Sequence, residues 1–463
     1  MTIGGQTVRT PRLLAVENPA TGHTFAHAPI CTPEQLDDAV SAATAAGPAW
    51  AALTHDERRD HLRACREALV TNLTEIADVL SLEQGKPLAD ARAEVELSAD
   101  WFEHTAALSL PSEPIEESAQ RHVTVNRVPH GVVAAIAPSN FPLILAVCKV
   151  APALLAGNTV VLKPSPQTPL STLLLGESLN ACLPAGVLNV VSGDNALGEL
   201  LCTHTSVQMI SFTGSVETGM AIASQAAARL LPVVLELGGN DPAIVLPGAD
   251  IASIAPALFG AAMANNGQFC AAVKRVFVSR KQAAELTQAL SRLAIAAVVG
   301  DGRDPSTQFG PLISRSQRDR LAAMVDAAVA AGAKVVTGGR PIEGPGHFYQ
   351  PTIVVDLPPG TELELEEQFG PVVPIIAYDS LPEAVIRANA TDYGLGASVW
   401  GDEALARDLS GQLHAGIVWI NTHGDLRHDT PFGGTNRSGR GVEYGRWGLL
   451  EYTRIKVLNV MRG

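Results

Sequence analysis

Between residues 132 and 235 the chain repeats one pattern, and that pattern restricts its fold more than any other feature. Short runs of Val, Ile, Leu and Ala at 132–137, 159–162, 188–191, 209–212 and 233–235 alternate with helical periodicity at 143–155, 171–182, 197–203 and 217–230. Apolar runs this short, with no polar face, read as strands buried on both sides. Strands joined through helices lie parallel, with helices covering both faces of the sheet. A sheet of that kind binds its ligand outside the carboxyl ends of its strands, which makes this a nucleotide-binding architecture.

A second α/β series follows Gly239, with helices expected near 254–265, 281–297 and 317–331 and strands at 275–278 and 373–376. Upstream, residues 32–108 show helical spacing throughout, preceded by a turn at Asn18-Pro19-Ala20-Thr21-Gly22. Segments 122–128 and 451–460 alternate like strands but have no neighbour in sequence to pair with. Pairing across a subunit boundary is therefore expected for both.

At 463 residues the chain is long enough for two or three packed units. Its net charge of −14, from 33 basic and 47 acidic residues, argues against nucleic acid or an anionic membrane as partner. No apolar run approaches the roughly 20 residues needed to span a bilayer. The first fourteen residues lack the apolar stretch of a secretory signal, so a cytoplasmic location is expected. Cys31, Cys65, Cys148, Cys182, Cys202 and Cys270 are scattered and form no C-x-x-C pair, so reduced thiols are expected and no metal site is read. Cys148, Cys182 and Cys202 lie among Leu, Val and Ala and read as buried filler.

Six segments carry candidate chemistry. Cys270 ends Gly267-Gln268-Phe269-Cys270, a glycine-containing loop before a strand, where a thiol can be presented as a nucleophile. Glu236 closes an apolar strand in Glu236-Leu237-Gly238-Gly239; burial there suits a general base, although a strand-end charge beside a glycine turn fits as well. Asn140, in Pro138-Ser139-Asn140-Phe141-Pro142, is placed either as an oxyanion donor or as a helix cap. Phe212-Thr213-Gly214-Ser215 joins strand, glycine turn and helix start, the ingredients of a phosphate cradle. Lys163-Pro164-Ser165-Pro166 puts a lysine at a strand end, where it can hold a ribose or phosphate or remain solvated. Glu366-Glu367-Gln368-Phe369-Gly370-Pro371 pairs a carboxylate with a ring, suited to a sugar and a flat heterocycle, or forms an edge turn.

Together these segments resemble the aldehyde dehydrogenase superfamily, in order and from residue 18 almost to the C-terminus. The family's glutamate motif matches 236–239, its cysteine motif 267–270, its E-E-x-F-G-P-V 366–372 and its P-F-G-G 431–434. The resemblance implies that Cys270 attacks an aldehyde, that Asn140 and the Cys270 amide hold the oxyanion, and that Glu236 activates water to hydrolyse a thioester. It implies NAD or NADP as cofactor, with Lys163 at the adenine-side ribose, Ser165 among the cofactor-binding residues, and Gly214 and Ser215 near the pyrophosphate. Glu367 would then hold the nicotinamide ribose, with Phe369 against the ring. Lys149 and Glu443 match a possible proton relay, Phe432 a wall of the substrate tunnel, and Arg427 a potential anchor for a substrate carboxylate or a solvent-facing arginine. Two departures stand out. Ser139 replaces a frequent Trp, and Pro166 replaces the acidic residue usual in NAD-preferring members, which leaves the cofactor preference open.

By the same resemblance the fold class is α/β, with a Rossmann-like parallel-sheet cofactor domain, an α/β catalytic domain and a small oligomerisation β-extension. The cofactor domain would comprise 1–116 and 133–235, the catalytic domain 236–448, and the bridging strands 117–132 and 449–463 of a homodimer or homotetramer. The main alternative, a CoA-acylating relative, generally lacks a glutamate at the Glu236 position. A catalytically silent binding homologue would not need Cys270, Glu236 and Asn140 together, and an acyl-phosphate reductase would not need a water-activating base.

Overall fold

Thr54 and Gly85 divide the long N-terminal helical run into three. The computed structural model, which describes residues 1–462, has helices Pro33–Ala52, His55–Gln84 and Leu88–Ala106 there. Thr32 and Thr54 each start a helix with a capping box, closed by Gln35 and Glu57. Gly85 stops the second helix at φ 91°, a left-handed conformation that glycine adopts without steric cost. Upstream, Leu13–Asn18 and His23–Pro29 form a hairpin around the expected turn.

The alternating segment forms the expected parallel sheet. Its strands are Val132–Ile136, Thr159–Lys163, Leu188–Val190, Val207–Thr213 and Val233–Glu236. Helices Pro142–Leu155, Leu170–Asn180, Asn195–Thr203 and Val216–Ala227 connect them. In space the chain steps outward from 132–136 to 159–163 and 188–190, then crosses back to 207–213 and 233–236. The order therefore reverses between 132–136 and 207–213, opening a crevice at their carboxyl ends. Gly439–Arg440 adds an antiparallel edge on one side, and Thr2–Ile3 followed by Gln6–Thr7 extends the other; strands of two residues are too short to leave a periodic signal.

A second sheet places Lys334–Thr337, Thr352–Val355, Val372–Tyr378, Val273–Ser279, Asp241–Val245, Gly396–Trp400 and Ile417–Ile420 side by side. All of its pairings are parallel except that of the first strand. Residues 237–240 alone link the last parallel strand of the first sheet to the second sheet. Glu236 thus ends a strand of one sheet close to where strands of the other begin.

The two unpartnered segments correct an expectation. Thr453–Met461 and Arg121–Pro129 pair with each other within one chain, from Thr453 opposite Pro129 to Met461 opposite Arg121. Glu113–Glu117 joins as a third strand. Sequence distance hid this antiparallel match, because nothing local brings the C-terminus back to residue 121.

Candidate active site

Two clefts open at the reversal point of the first sheet. One, of about 690 Å³, is lined by Lys163, Ser165 and Pro166 among others; the second, of about 520 Å³, reaches Asn140, Cys270, Glu367 and Phe369. Both are lined by Pro138, Ser139, Thr213, Gly214, Ser215 and Glu217, so they are two stretches of one trough. At its middle, helix Val216–Ala227 begins with Ser215 as its cap, accepting from the Thr218 amide at 3.3 Å. The positive end of that helix faces the trough and suits an anion.

Cys270 sits on a loop that glycine makes possible. Asn265, Asn266 and Gly267 have φ of 48°, 57° and 73°, and a Cβ on Gly267 would lie 2.2 Å from the Gly370 carbonyl oxygen. The thiol is partly exposed, yet burial pushes its pKa up, reinforced by the negative charges of Glu236, Glu367 and Asp241 and opposed by Lys274. Asn140 is buried, and its side-chain amide donates to the Gln268 carbonyl at 3.0 Å. An amide nitrogen carries two hydrogens, so one remains for a ligand.

Behind Asn140 is a buried ion pair. Lys86 Nζ donates to the Asn140 carbonyl at 2.9 Å and to Glu94 at 2.5 Å, and stands 4.1 Å from the centre of the Phe141 ring. Glu94 in turn accepts from the amides of Leu143 and Ile144, at 2.9 and 3.3 Å, at the start of helix Pro142–Leu155. Asn265 Nδ2 reaches the same Asn140 carbonyl at 3.0 Å.

Glu236 is 3% exposed, and neither of its carboxylate oxygens has a hydrogen-bond partner among the described residues. Burial raises its pKa well above the usual carboxylate range, Glu443 adds to this, and Lys149 counters it. Lys149 Nζ lies 2.5 Å from Glu443 and 2.6 Å from the Thr213 hydroxyl, and both charged groups are buried.

At the far wall, burial lifts Glu367 to about 7, against the pull of Lys274 and the Gly239 amide. Lys274 is itself buried, donates to the Gly267 carbonyl at 2.9 Å, and lies 5.1 Å from the Phe369 ring centre. Gly238 leaves the space that Glu367 fills: a Cβ there would be 2.3 Å from its Oε2. Lys163, 3% exposed, is lowered to about 8 by burial, with Asp194 opposing.

The aldehyde dehydrogenase family model matches residues 7–458. The chain belongs to the aldehyde dehydrogenase family. It is an oxidoreductase that acts on the aldehyde group with NAD+ or NADP+ as acceptor. Betaine aldehyde dehydrogenase 1 of Rhizobium meliloti (strain 1021) is 39% identical over 457 residues, covering 96% of this chain and 93% of that protein. The NADP(+) succinate-semialdehyde dehydrogenase of Escherichia coli (strain K12) is 38% identical over 458 residues, with the same coverage of each. An NAD+ complex of an aldehyde dehydrogenase from Bacillus cereus superposes with a TM-score of 0.97 at 34% identity, covering 100% of this chain and 96% of that one.

In this aldehyde dehydrogenase the trough collects Cys270, Asn140, Glu367 and Phe369 at one end, Gly214 and Ser215 at its middle, and Lys163 and Ser165 at the other end. Lys149, Glu443 and Glu236 form a buried cluster whose charges also act on one another. The Gly214 amide is bonded to the Glu236 carbonyl at 3.0 Å, which ties the middle of the trough to the end of the Glu236 strand. Arg427 stays apart: its guanidinium forks onto Asp429 at 2.9 and 2.7 Å on the surface and lines neither cleft. Phe432 is buried, stacked on Tyr444 at 5.6 Å, in the apolar cluster against which Phe269 and Cys270 pack. Lys86, Glu94 and Lys274 were not singled out from the sequence. The signal for Lys86 was the break Gly85-Lys86-Pro87 inside a helical run, where a loop lysine is easily read as solvated.

Proposed function

We propose that this enzyme oxidises its aldehyde to the carboxylic acid through a thioester on Cys270 that water hydrolyses, without CoA. The reading rests on Glu236, a buried carboxyl with no donor among the described residues holding either oxygen, within electrostatic range of the Cys270 thiol. A base so placed is free to take protons.

The steps follow from the side chains. Glu236 accepts the Cys270 proton, and the thiolate sulfur adds to the carbonyl carbon. The oxygen of the resulting thiohemiacetal takes its negative charge against the free Asn140 N–H and the Cys270 amide. Removing one such donor typically costs about 100- to 1,000-fold in rate. A nicotinamide bound beside Cys270 supplies the hydride acceptor. The thioester then left on Cys270 is attacked by a water whose proton passes to Glu236; the carbon–sulfur bond breaks, the acid leaves, and the thiolate returns. Glu236 must give up the Cys270 proton before it takes the one from water; the buried Lys149–Glu443 pair, whose charges act on Glu236, is the candidate relay for both protons.

The chain's own residues fit a dinucleotide along the trough. Lys163 and Ser165 would hold the adenine-side ribose, the amides at the start of helix Val216–Ala227 the pyrophosphate, and Glu367 the nicotinamide ribose, with Phe369 against the ring. Pro166 offers no carboxylate to repel a 2′-phosphate, so NAD and NADP are both accepted. Assembly into a dimer or tetramer through the three-stranded extension completes the reading, as does the division into domains at 235 and 448.

An aldehyde screen with NAD and NADP in parallel, with and without CoA, tests this. Expected is CoA-independent formation of reduced cofactor and acid, abolished by Cys270→Ala. A strict CoA requirement, or full turnover in Cys270→Ala, would overturn it.

A further inference from the structure

Each turnover as proposed converts one aldehyde, one water and one oxidised cofactor into the acid, the reduced cofactor and one proton. Two electrons leave as hydride. The proton arises on Glu236, which is 3% exposed, so it needs a path to solvent. Lys149 and Glu443 supply the first part of one. Lys149 Nζ donates to Glu443 Oε1 at 2.5 Å, whereas Glu443 Oε2 has no hydrogen-bond partner among the described residues, although the side chain is buried. Glu443 lines a cavity of about 10 Å³, room for a single water. His104, Thr105 and His428 line the same cavity.

Backbone pairing brings the histidines there. Phe432 and Glu443 exchange hydrogen bonds at 2.9 and 2.7 Å, and the Gly445 amide donates to the His428 carbonyl at 2.9 Å, so 428–432 runs beside 443–445. Helix Leu88–Ala106 packs on this segment, with Trp101 edge-on to Tyr444 at 4.7 Å and His104 one turn later. The His104 and His428 rings stack, with centres 3.4 Å apart and planes within 6° of parallel. Both are partly exposed, while Glu443 is not. Two imidazolium cations face to face at that distance repel, so the pair holds one proton in preference to two and sheds the second readily. Burial and His428 lower His104, against Asp100 and Glu103 on its own helix and Asp429 on the loop. Those carboxylates are engaged elsewhere, Asp100 with Arg66 at 3.7 Å, Glu103 with Arg63 at 3.5 Å and Asp429 with Arg427 at 2.7 Å. From the interior, Cys148, Tyr444 and Tyr452 join Glu443 around the cavity.

We propose that the stacked His104–His428 pair is the proton outlet of the enzyme, taking protons from Glu443 through a water in the shared cavity and releasing them to solvent. This outlet presupposes the Cys270 thioester proposed above, whose hydrolysis leaves the proton on Glu236. Glu443 gives a proton to the water, the water gives one of its own to a ring nitrogen, and the ring gives it to a base in solution. Nothing is oxidised or reduced in these transfers. His104 and His428 line neither stretch of the trough, so they act as carriers away from the reacting atoms.

The test compares full-length wild type with the double variant His104→Gln, His428→Gln at pH 7 in dilute buffer, by burst and steady-state kinetics. The variant should keep the burst of reduced cofactor and both KM values, while kcat falls at least about tenfold. Added imidazole, a small proton carrier, should restore most of that loss and leave the wild type unchanged. Such restoration is not expected where the rings only pack. An unchanged kcat, or a loss that imidazole does not restore, would overturn the outlet. Burst amplitude counts the folded sites. Where the double variant does not fold, His428→Gln alone should show a smaller loss with the same restoration, and its absence would count equally against the outlet. Intact mass separates the two levels of the proposal. A Cys270 that carries no acyl group in either protein would overturn the thioester beneath it, whereas an acyl group present with unrestored turnover would overturn the outlet alone.

Discussion

Asn140 is held through its side-chain amide by Gln268 and through its carbonyl by Lys86 and Asn265, so its free N–H has a fixed direction. Lys86→Met should lower kcat by up to about 100-fold, the scale of a misplaced catalytic group. The KM for the cofactor should stay near wild type, and Lys86→Arg should recover part of the loss. An unchanged kcat in Lys86→Met would separate Lys86 from the oxyanion site. Glu236 gives a pH prediction. Its pKa is raised by burial and by Glu443, and the ionised form is the base, so hydrolysis should increase as pH rises through that raised value. Steady-state kcat from acid to alkaline pH measures this, and a kcat that falls over the same range contradicts the assignment. At this scale Cys270, Asn140 and Glu236 stood out as candidates only together, as motifs in the order of a known family, since each segment alone also fitted a bland role. Lys86 and Glu94 did not, since their role arises only when the loop at 85–87 and the helix that follows it pack against residue 140.

Helix Leu170–Asn180 begins without a cap from its own segment. Glu83, on a different helix and wholly buried, supplies it, accepting from the Leu170 and Ser171 amides at 2.7 and 2.9 Å and from the Ser171 hydroxyl. Glu83→Ala should cost about 1–3 kcal/mol by leaving buried amides unpaired, read as a lower urea midpoint. Burial also lifts Glu83 from 4.5 to about 7, outweighing those hydrogen bonds. A raised folded-state pKa means that this contribution is complete below about 4.5 and is lost as pH climbs through about 7. Unfolding midpoints across that window should fall less steeply with pH in Glu83→Gln than in wild type; identical slopes would contradict it. Elements such as Val132–Ile136 were readable because burial on both faces leaves only apolar residues. The cap was not, because it comes from a residue distant in sequence.

Over the whole molecule, the parallel sheet was legible from alternation alone, and so was the crevice at its strand ends. The three-stranded extension was only half legible: both long strands were visible, but their pairing with each other was not. Its tail strand leaves Ile455, Val457, Leu458, Val460 and Met461 exposed, an apolar surface that the proposed oligomer covers. Deleting residues 453–463 should therefore lower the mass measured by light scattering, and an unchanged mass would remove the extension from the interface.

The central claim, a thioester on Cys270 resolved by Glu236, is tested most directly by single-turnover kinetics of Glu236→Gln. Mixing that variant with an accepted aldehyde and cofactor should release a burst of one equivalent of reduced cofactor per subunit, then stall. Intact mass should show the acyl group on Cys270. Continued turnover at the wild-type rate, or a stalled enzyme whose acyl group is carried anywhere but Cys270, would contradict the account.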